Sequence, residues 1–310
     1  MRRGLAALVL SLALAPAARA APDDDGGAAP RVAAIASDGD VDRALIIGPS
    51  GQVYEPDGAG AWRRLAEGGV AGDVGGATLA DGHLVVAGRA APLYRRDHAI
   101  WYALRVGGSG RTRLGTGPAP AVAVGKAVHV DVGGTWKRVG ALPDNATALW
   151  AQSATVVWAA TDDGLYKLRG KRFERAGAAP TALAGDRPYA IDADAIRDLT
   201  RGRTIPLRLD GEPVTATAAA SHGGGALHVV VATGAGALVL ARVDGKQLAR
   251  VDDLPVAGAP VGMAVDADGD VLIALADGTI ALRRGDAWTT TAVTDALPAP
   301  PAGSPPARTR

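Results

Sequence analysis

The chain has 310 residues and no cysteine, which excludes disulfides, thiolate metal sites, a cysteine nucleophile and a lipid-modified cysteine behind a leader. Its 33 basic and 32 acidic side chains nearly cancel and no Lys/Arg cluster stands out, so there is no electrostatic footprint for nucleic acid. A chain of this length can bury a core without covalent staples.

Residues 1–20 have the layout of a secretory signal peptide. Arg2 and Arg3 form a positive start, residues 4–15 an apolar run, and Ala18-Arg19-Ala20 a small-x-small cleavage site. The expected cut falls after Ala20, giving a periplasmic or secreted protein. The run is shorter than the roughly 20 residues needed to span a bilayer, and no later segment is long and apolar enough to do so. Removing Arg2, Arg3 and Arg19 leaves 30 basic against 32 acidic side chains. Residues 21–30 are acidic, small and Pro-flanked and read as a leader to the fold. Residues 298–310 read as a Pro-rich disordered tail.

Between these ends, short Val/Ile/Leu/Ala runs alternate with Gly-, Asp- and Pro-rich turns, the pattern of an all-β chain. Four segments align on one aromatic. Ile46-Ile47 and Gln52-Val53-Tyr54 precede Gly60-Ala61-Trp62; Val128-His129-Val130 precedes Gly134-Thr135-Trp136. Val156-Val157-Trp158 and Leu165-Tyr166 precede Gly170-Lys171-Arg172-Phe173; Leu272-Ile273-Ala274-Leu275 and Thr279-Ile280 precede Gly285-Asp286-Ala287-Trp288. Each reads as strand, tight Gly turn, strand, Gly turn, and an aromatic entering a last strand. The aromatic spacings are 74, 37 and 115 residues, close to two, one and three multiples of about 38. Trp101, Ile205 and Leu248 fill the missing phases, Ile205 only loosely, so that repeat is degenerate.

Seven repeats of this length over residues 31–297 predict an all-β, seven-bladed β-propeller with four-stranded antiparallel blades and no room for a second domain. Segments rich in small side chains, 32–36, 76–80, 119–123, 181–184 and 214–219, are the expected innermost strands, where neighbours crowd the axis. Blades one and seven are each complete, so the ring is expected to close by side-chain packing without strand exchange.

Val157-Trp158-Ala159-Ala160-Thr161-Asp162-Asp163-Gly164-Leu165-Tyr166 resembles the propeller repeat of bacterial two-component regulators, within the broad group of exported propeller proteins. The resemblance covers part of one blade and implies fold rather than activity. The chain lacks a Trp-Asp dipeptide, a Gly-Gly after the second strands, and the Ser-x-Asp-x-Gly-x-x-Trp box. These absences separate it from tryptophan-aspartate, kelch and sialidase repeats.

No residue qualifies as a catalytic, cofactor-binding or metal-binding site, and no cofactor is implied. Asp266, Asp268, Asp270 and Asp277 look like a calcium loop, but Gly269 stands at the fourth position where the sixth is needed. A turn between the first two strands of blade seven accounts for them, as Asp38-Gly39-Asp40 does in blade one. Asp192, Asp194 and Asp198 form a second acidic group. The histidines His83, His98, His129, His222 and His228 lack ligand spacing. His129 and His228 read as strand packing residues, His83 and His222 as solvated turn residues. Ser221-His222-Gly223-Gly224-Gly225 is read as a flexible strand connection. Gluconolactonase-like chemistry would need several Asn and carboxylate ligands, and Asn145 is the single Asn. Trp62, Trp101, Trp136 and Trp288 follow the repeat; Trp150 and Trp158 do not, and remain as surface aromatics.

The functional expectation is a non-catalytic, monomeric interaction scaffold of the cell envelope with a protein or glycan partner. Residues 106–120, a long Gly/Arg/Thr-rich connection, are the expected contact loop. The alternative is an enzyme acting on a carbohydrate, lactone or similar small molecule at the channel mouth.

Overall fold

Short runs of alternating burial, stopped every few residues by Gly- or Asp-led turns, fold into meanders rather than long sheets. The computed structural model describes residues 9–10, 12–13, 32–57, 60–66, 70, 74–80, 82–88, 93–97 and 100–293. It is a seven-bladed β-propeller of four-stranded antiparallel blades, at 34–66, 74–104, 112–141, 148–177, 182–206, 215–253 and 260–292. One short 3-10 turn, Val41–Arg43, is the only helix among the described residues.

The seven phase-marking residues all fall on the fourth, outermost strands. Trp62, Trp101, Trp136, Phe173, Ile205, Leu248 and Trp288 lie on Trp62–Ala66, Ile100–Leu104, Trp136–Ala141, Arg172–Gly177, Arg203–Pro206, Gln247–Asp253 and Ala287–Ala292. Each reaches back onto a core shared between adjoining blades, because one meander is too thin to bury its own faces. The fifth blade is the shortest, with strands of three or four residues, as its loose phase implied. A two-stranded hairpin, Arg208–Leu209 with Glu212–Pro213, stands between blades five and six and had no sequence forecast.

The innermost strands carry small side chains at 34–37, 74–80, 182–184 and 215–220. Blade three departs from expectation. Its inner strand is Thr112–Leu114, and the segment placed innermost from composition, 119–123, lies mainly in the second strand, Ala121–Val124. Residues 106–120 are therefore not a free loop. Thr112, Leu114 and Thr116 are buried. Thr116 exchanges backbone hydrogen bonds with the inner strand of blade four, and its Oγ1 donates to the Leu149 carbonyl at 3.3 Å and to that of Leu183, in blade five, at 2.9 Å.

The ring closes without strand exchange. Val32, Ile35, Ile46, Tyr54 and Trp62 of blade one share a buried cluster with Ala264, Leu272, Ala274 and Ile280 of blade seven and with Val293. A parallel bridge joins Trp62 to Val293, the Val32 N–H donates to the Ala276 carbonyl at 3.4 Å, and Arg284 pairs with Asp42 on the rim. Two dipeptides near the N-terminus also pair with inner strands, Val9–Leu10 with blade one and Leu12–Ala13 with blade six. The remainder of residues 1–20, the 21–30 leader and the 298–310 tail lie outside the described residues.

Candidate functional site

A four-strand meander puts the turns joining its first to second and third to fourth strands at one end. Seven blades thus present a common face of such turns around the channel. Most polar groups on it hold their own turns. In blade seven, Asp266 Oδ1 accepts the amides of Asp268 and Asp270 at 3.0 and 2.9 Å, and Asp270 Oδ1 accepts that of Gly285 at 3.1 Å. In blade one, Asp40 accepts the Asp42 amide while Ser37 and Gly39 close the turn. Burial pushes the Asp266 carboxyl above its ordinary range, and the neighbouring carboxylates reinforce this. Asp277, at the opposite end of the same hairpin, caps the Thr279 amide. These are turn carboxylates.

Blades five and six carry a denser arrangement. Ser221, fully buried, accepts the Asp186 amide at 2.9 Å, and Asp186 Oδ2 accepts the Gly224 amide at 2.9 Å. Gly223 and Gly224 have φ of 61° and 77° and the Gly225 amide returns to the His222 carbonyl. The Gly run is therefore a tight turn gripped from the neighbouring blade, not a slack connection. Positive φ at consecutive residues explains why glycine occupies it. Desolvation raises the Asp186 carboxyl, offset by the Gly224 amide and the nearby His222 and Arg187 charges. His222 is half-buried with a shielded Nδ1, contrary to the solvated position read from sequence.

Beside this turn, a groove of about 220 Å³ opens between blades five and six. Its floor is Tyr189, Ile205 and Val243; its rim carries Arg187, Arg201 and Arg203, with Asp198 in the wall. Arg187 Nη2 donates to the Gly224 carbonyl at 2.5 Å. Asp198, almost fully buried, spends Oδ1 on the amides of Thr200 and Arg201, while its Oδ2 lies 4.0 Å from Arg201 Nε. The Tyr189 hydroxyl is pushed above its ordinary pKa by burial and by the Asp198 charge, so it stays neutral at pH 7.

The other flagged residues separate. Asp192 pairs with Arg197 at 2.6 Å, and Asp194 does not join it and Asp198 in a metal-binding group; none exists among the described residues. His83 starts the strand His83–Gly88, half-buried, with Nε2 3.1 Å from Arg95 Nη2. His129 is buried in strand Ala127–Asp131, and His228 is partly buried in His228–Ala232. Burial, reinforced by Arg138 and Arg242 respectively, lowers both imidazoles, His228 to about 4. His98 lies outside the described residues. Trp150 and Trp158 are not surface aromatics. They oppose each other across blade four, 1% and 8% exposed, with Trp150 Nε1 donating to the Gly185 carbonyl at 2.6 Å and Lys167 Nζ 4.9 Å above the Trp158 ring.

No family model matches this chain, and no curated protein matches its sequence. Solved structures do resemble it in fold. The WD40 repeats of RRP9 superpose with a TM-score of 0.62 at 12% identity, covering 86% of this chain and 90% of that one. Streptogramin B lyase gives 0.57 at 12%, covering 81% and 92%. The extracellular domain of a protein described as a hybrid two-component system of B. thetaiotaomicron gives 0.60 at 12%, covering 84% of this chain and 39% of the larger one. At such identities the likeness establishes a β-propeller and no activity. Among the solved structures that share this fold is the extracellular domain of a two-component system, in line with the regulator-type repeat read at 157–166.

Proposed function

We propose that this protein is an exported, non-catalytic interaction scaffold of the bacterial cell envelope, binding a protein or glycan partner through the turn-bearing rim of its ring. The observation that carries the reading is how the polar groups near the channel are used. Ser221 Oγ, Asp186 Oδ2, Asp266 Oδ1 and Asp270 Oδ1 each accept backbone amides of turns, while Asp186 Oδ1 is buried without a hydrogen-bond partner among the described residues. Such bonds make a rigid platform whose outward groups are free to vary. The leader supports export, with its Arg2-Arg3 start, short apolar run and Ala18-Arg19-Ala20 site.

The test expresses the full chain in a Gram-negative host, sequences the N-terminus of the periplasmic product, and cross-links the purified ring to envelope components. A start at Ala21 and a discrete cross-linked partner are expected. An unprocessed cytoplasmic product overturns the export. Turnover of a lactone or glycoside that Asp186→Asn abolishes overturns the non-catalytic reading.

A further inference from the structure

We propose that the groove between blades five and six is a binding site for a small hydroxylated oxyanion, of the acidic-sugar class. The inference goes beyond the scaffold reading, since the groove would take such a ligand wherever the ring resides and whether or not a macromolecular partner exists.

Charge is the first argument. Several arginines elsewhere on the ring are neutralised: Arg63 by Glu55, Arg197 by Asp192, Arg250 by Asp210 and Asp253, Arg283 by Asp252 and Asp286. Three guanidiniums line the groove with the carboxylate of Asp198, which is already engaged by two backbone amides, and the Asp186 carboxylate lies near Arg187 behind the turn. Arg203 makes no ion pair among the described residues, Arg187 is tied to a carbonyl, and Arg201 reaches its carboxylate only at 4.0 Å. Guanidinium forks match carboxylate and phosphate oxygens, and a concave, partly apolar setting strengthens that attraction over an open surface.

Shape is the second. The floor presents an aromatic ring and two aliphatic side chains, Tyr189, Ile205 and Val243, beneath the cationic rim. A spherical inorganic ion uses only the rim. A sugar acid uses both parts, its C–H face against the floor and its carboxylate on the arginines. The volume, about 220 Å³, lies below the usual range of drug-sized pockets and limits the occupant to a small molecule. The rim is preorganised, because Arg187 is anchored to the turn that Asp186 clamps.

Isothermal titration calorimetry of the mature ring with glucuronate, glucose and inorganic phosphate at low ionic strength tests this. Glucuronate is expected to bind, more tightly than phosphate, with affinity falling as salt rises, and glucose is expected to give no heat. Arg201→Ala and Arg203→Ala should each weaken glucuronate about tenfold, the usual loss of one charge-assisted hydrogen bond. Arg203→Lys should fall between, and Arg172→Ala, an exposed change on blade four, should have no effect. Arg201 and Arg203 are exposed, so their variants should keep the parent thermal transition. Equal binding of glucose, unchanged affinity in both alanine variants, or absence of glucuronate binding at millimolar concentration overturns the site. Tighter binding of phosphate than of glucuronate overturns the sugar assignment. None of these results bears on export or on the cross-linked partner.

Discussion

Replacing Thr116 with valine is the sharpest probe of how the ring is tied together. Thr116 follows the inner strand of blade three, is fully buried, and its hydroxyl meets the Leu149 carbonyl of blade four at 3.3 Å and the Leu183 carbonyl of blade five at 2.9 Å. Valine matches threonine in shape, so little cavity forms and the loss is mainly polar. The Leu149 carbonyl keeps the Thr116 amide at 2.8 Å, whereas the Leu183 carbonyl loses its side-chain donor in a dry setting. A lost net hydrogen bond of about 1 kcal/mol, plus part of the 1–3 kcal/mol cost of an under-satisfied buried acceptor, gives about 2 kcal/mol. Urea unfolding of Thr116→Val should show a lower midpoint with an unchanged slope, and the melting temperature should drop by roughly 5 °C. Thr290→Val, on the exposed outer strand of blade seven, should change stability by less than about 0.5 kcal/mol. If Thr116→Val and Thr290→Val were equally mild, residues 106–120 would be the dispensable loop that composition implied, and the three-blade tie would be wrong.

Trp62→Ala should cost about 3–5 kcal/mol by emptying the seam between blades one and seven, and more than Trp136→Ala, whose side chain is half-exposed; chemical denaturation compares the two. Gly117→Ala should destabilise by more than about 1 kcal/mol, read from the same curves, because φ is +102° and a Cβ would stand 2.5 Å from the Ala151 carbonyl oxygen. His228 is neutral in the folded state, its pKa pushed from 6.5 to about 4 chiefly by burial. The unfolded chain therefore binds the extra proton between those values, so stability should fall on acidification from about pH 6.5 towards about pH 4, by on the order of 3 kcal/mol. His228→Asn should flatten that part of the pH–stability curve, and an unchanged slope would refute the assignment. Asp186 and Asp266, with raised pKa values, act in the opposite sense just above the ordinary carboxylate range.

The ring was legible in the sequence because its most regular demand is local. Each outer strand needs one residue reaching back into the shared core, and that need recurs at a fixed interval as Trp62, Trp101, Trp136, Phe173, Ile205, Leu248 and Trp288. The inner strand of blade three escaped because Thr112-Arg113-Leu114 offers three residues with a charge in the middle, which composition cannot distinguish from a loop. Its neighbour at 121–124 has the small side chains that mimic an axial strand. Trp150 and Trp158 were misplaced because burial there comes from facing each other across a blade and from the Gly185 carbonyl, none of which leaves a period in the chain. The groove was illegible for a related reason. Arg187, Arg201 and Arg203 each sit in or beside an ordinary turn, and only the stacking of blade six against blade five turns them into a concave cationic rim.

The manner in which the ring closes has a kinetic corollary. Contacts between successive blades join residues only a few tens of positions apart, so most of the structure can zip from any starting meander at small loop-entropy cost. The seam of Val32, Trp62, Ala276 and Val293 is the exception, because it must bring together the far ends of the repeat array. No swapped strand secures it in advance, so an opened arc of stacked blades is the natural late intermediate. A circular permutant that rejoins this seam covalently and cuts another should move the slow step to the new junction and leave the finished ring unaltered.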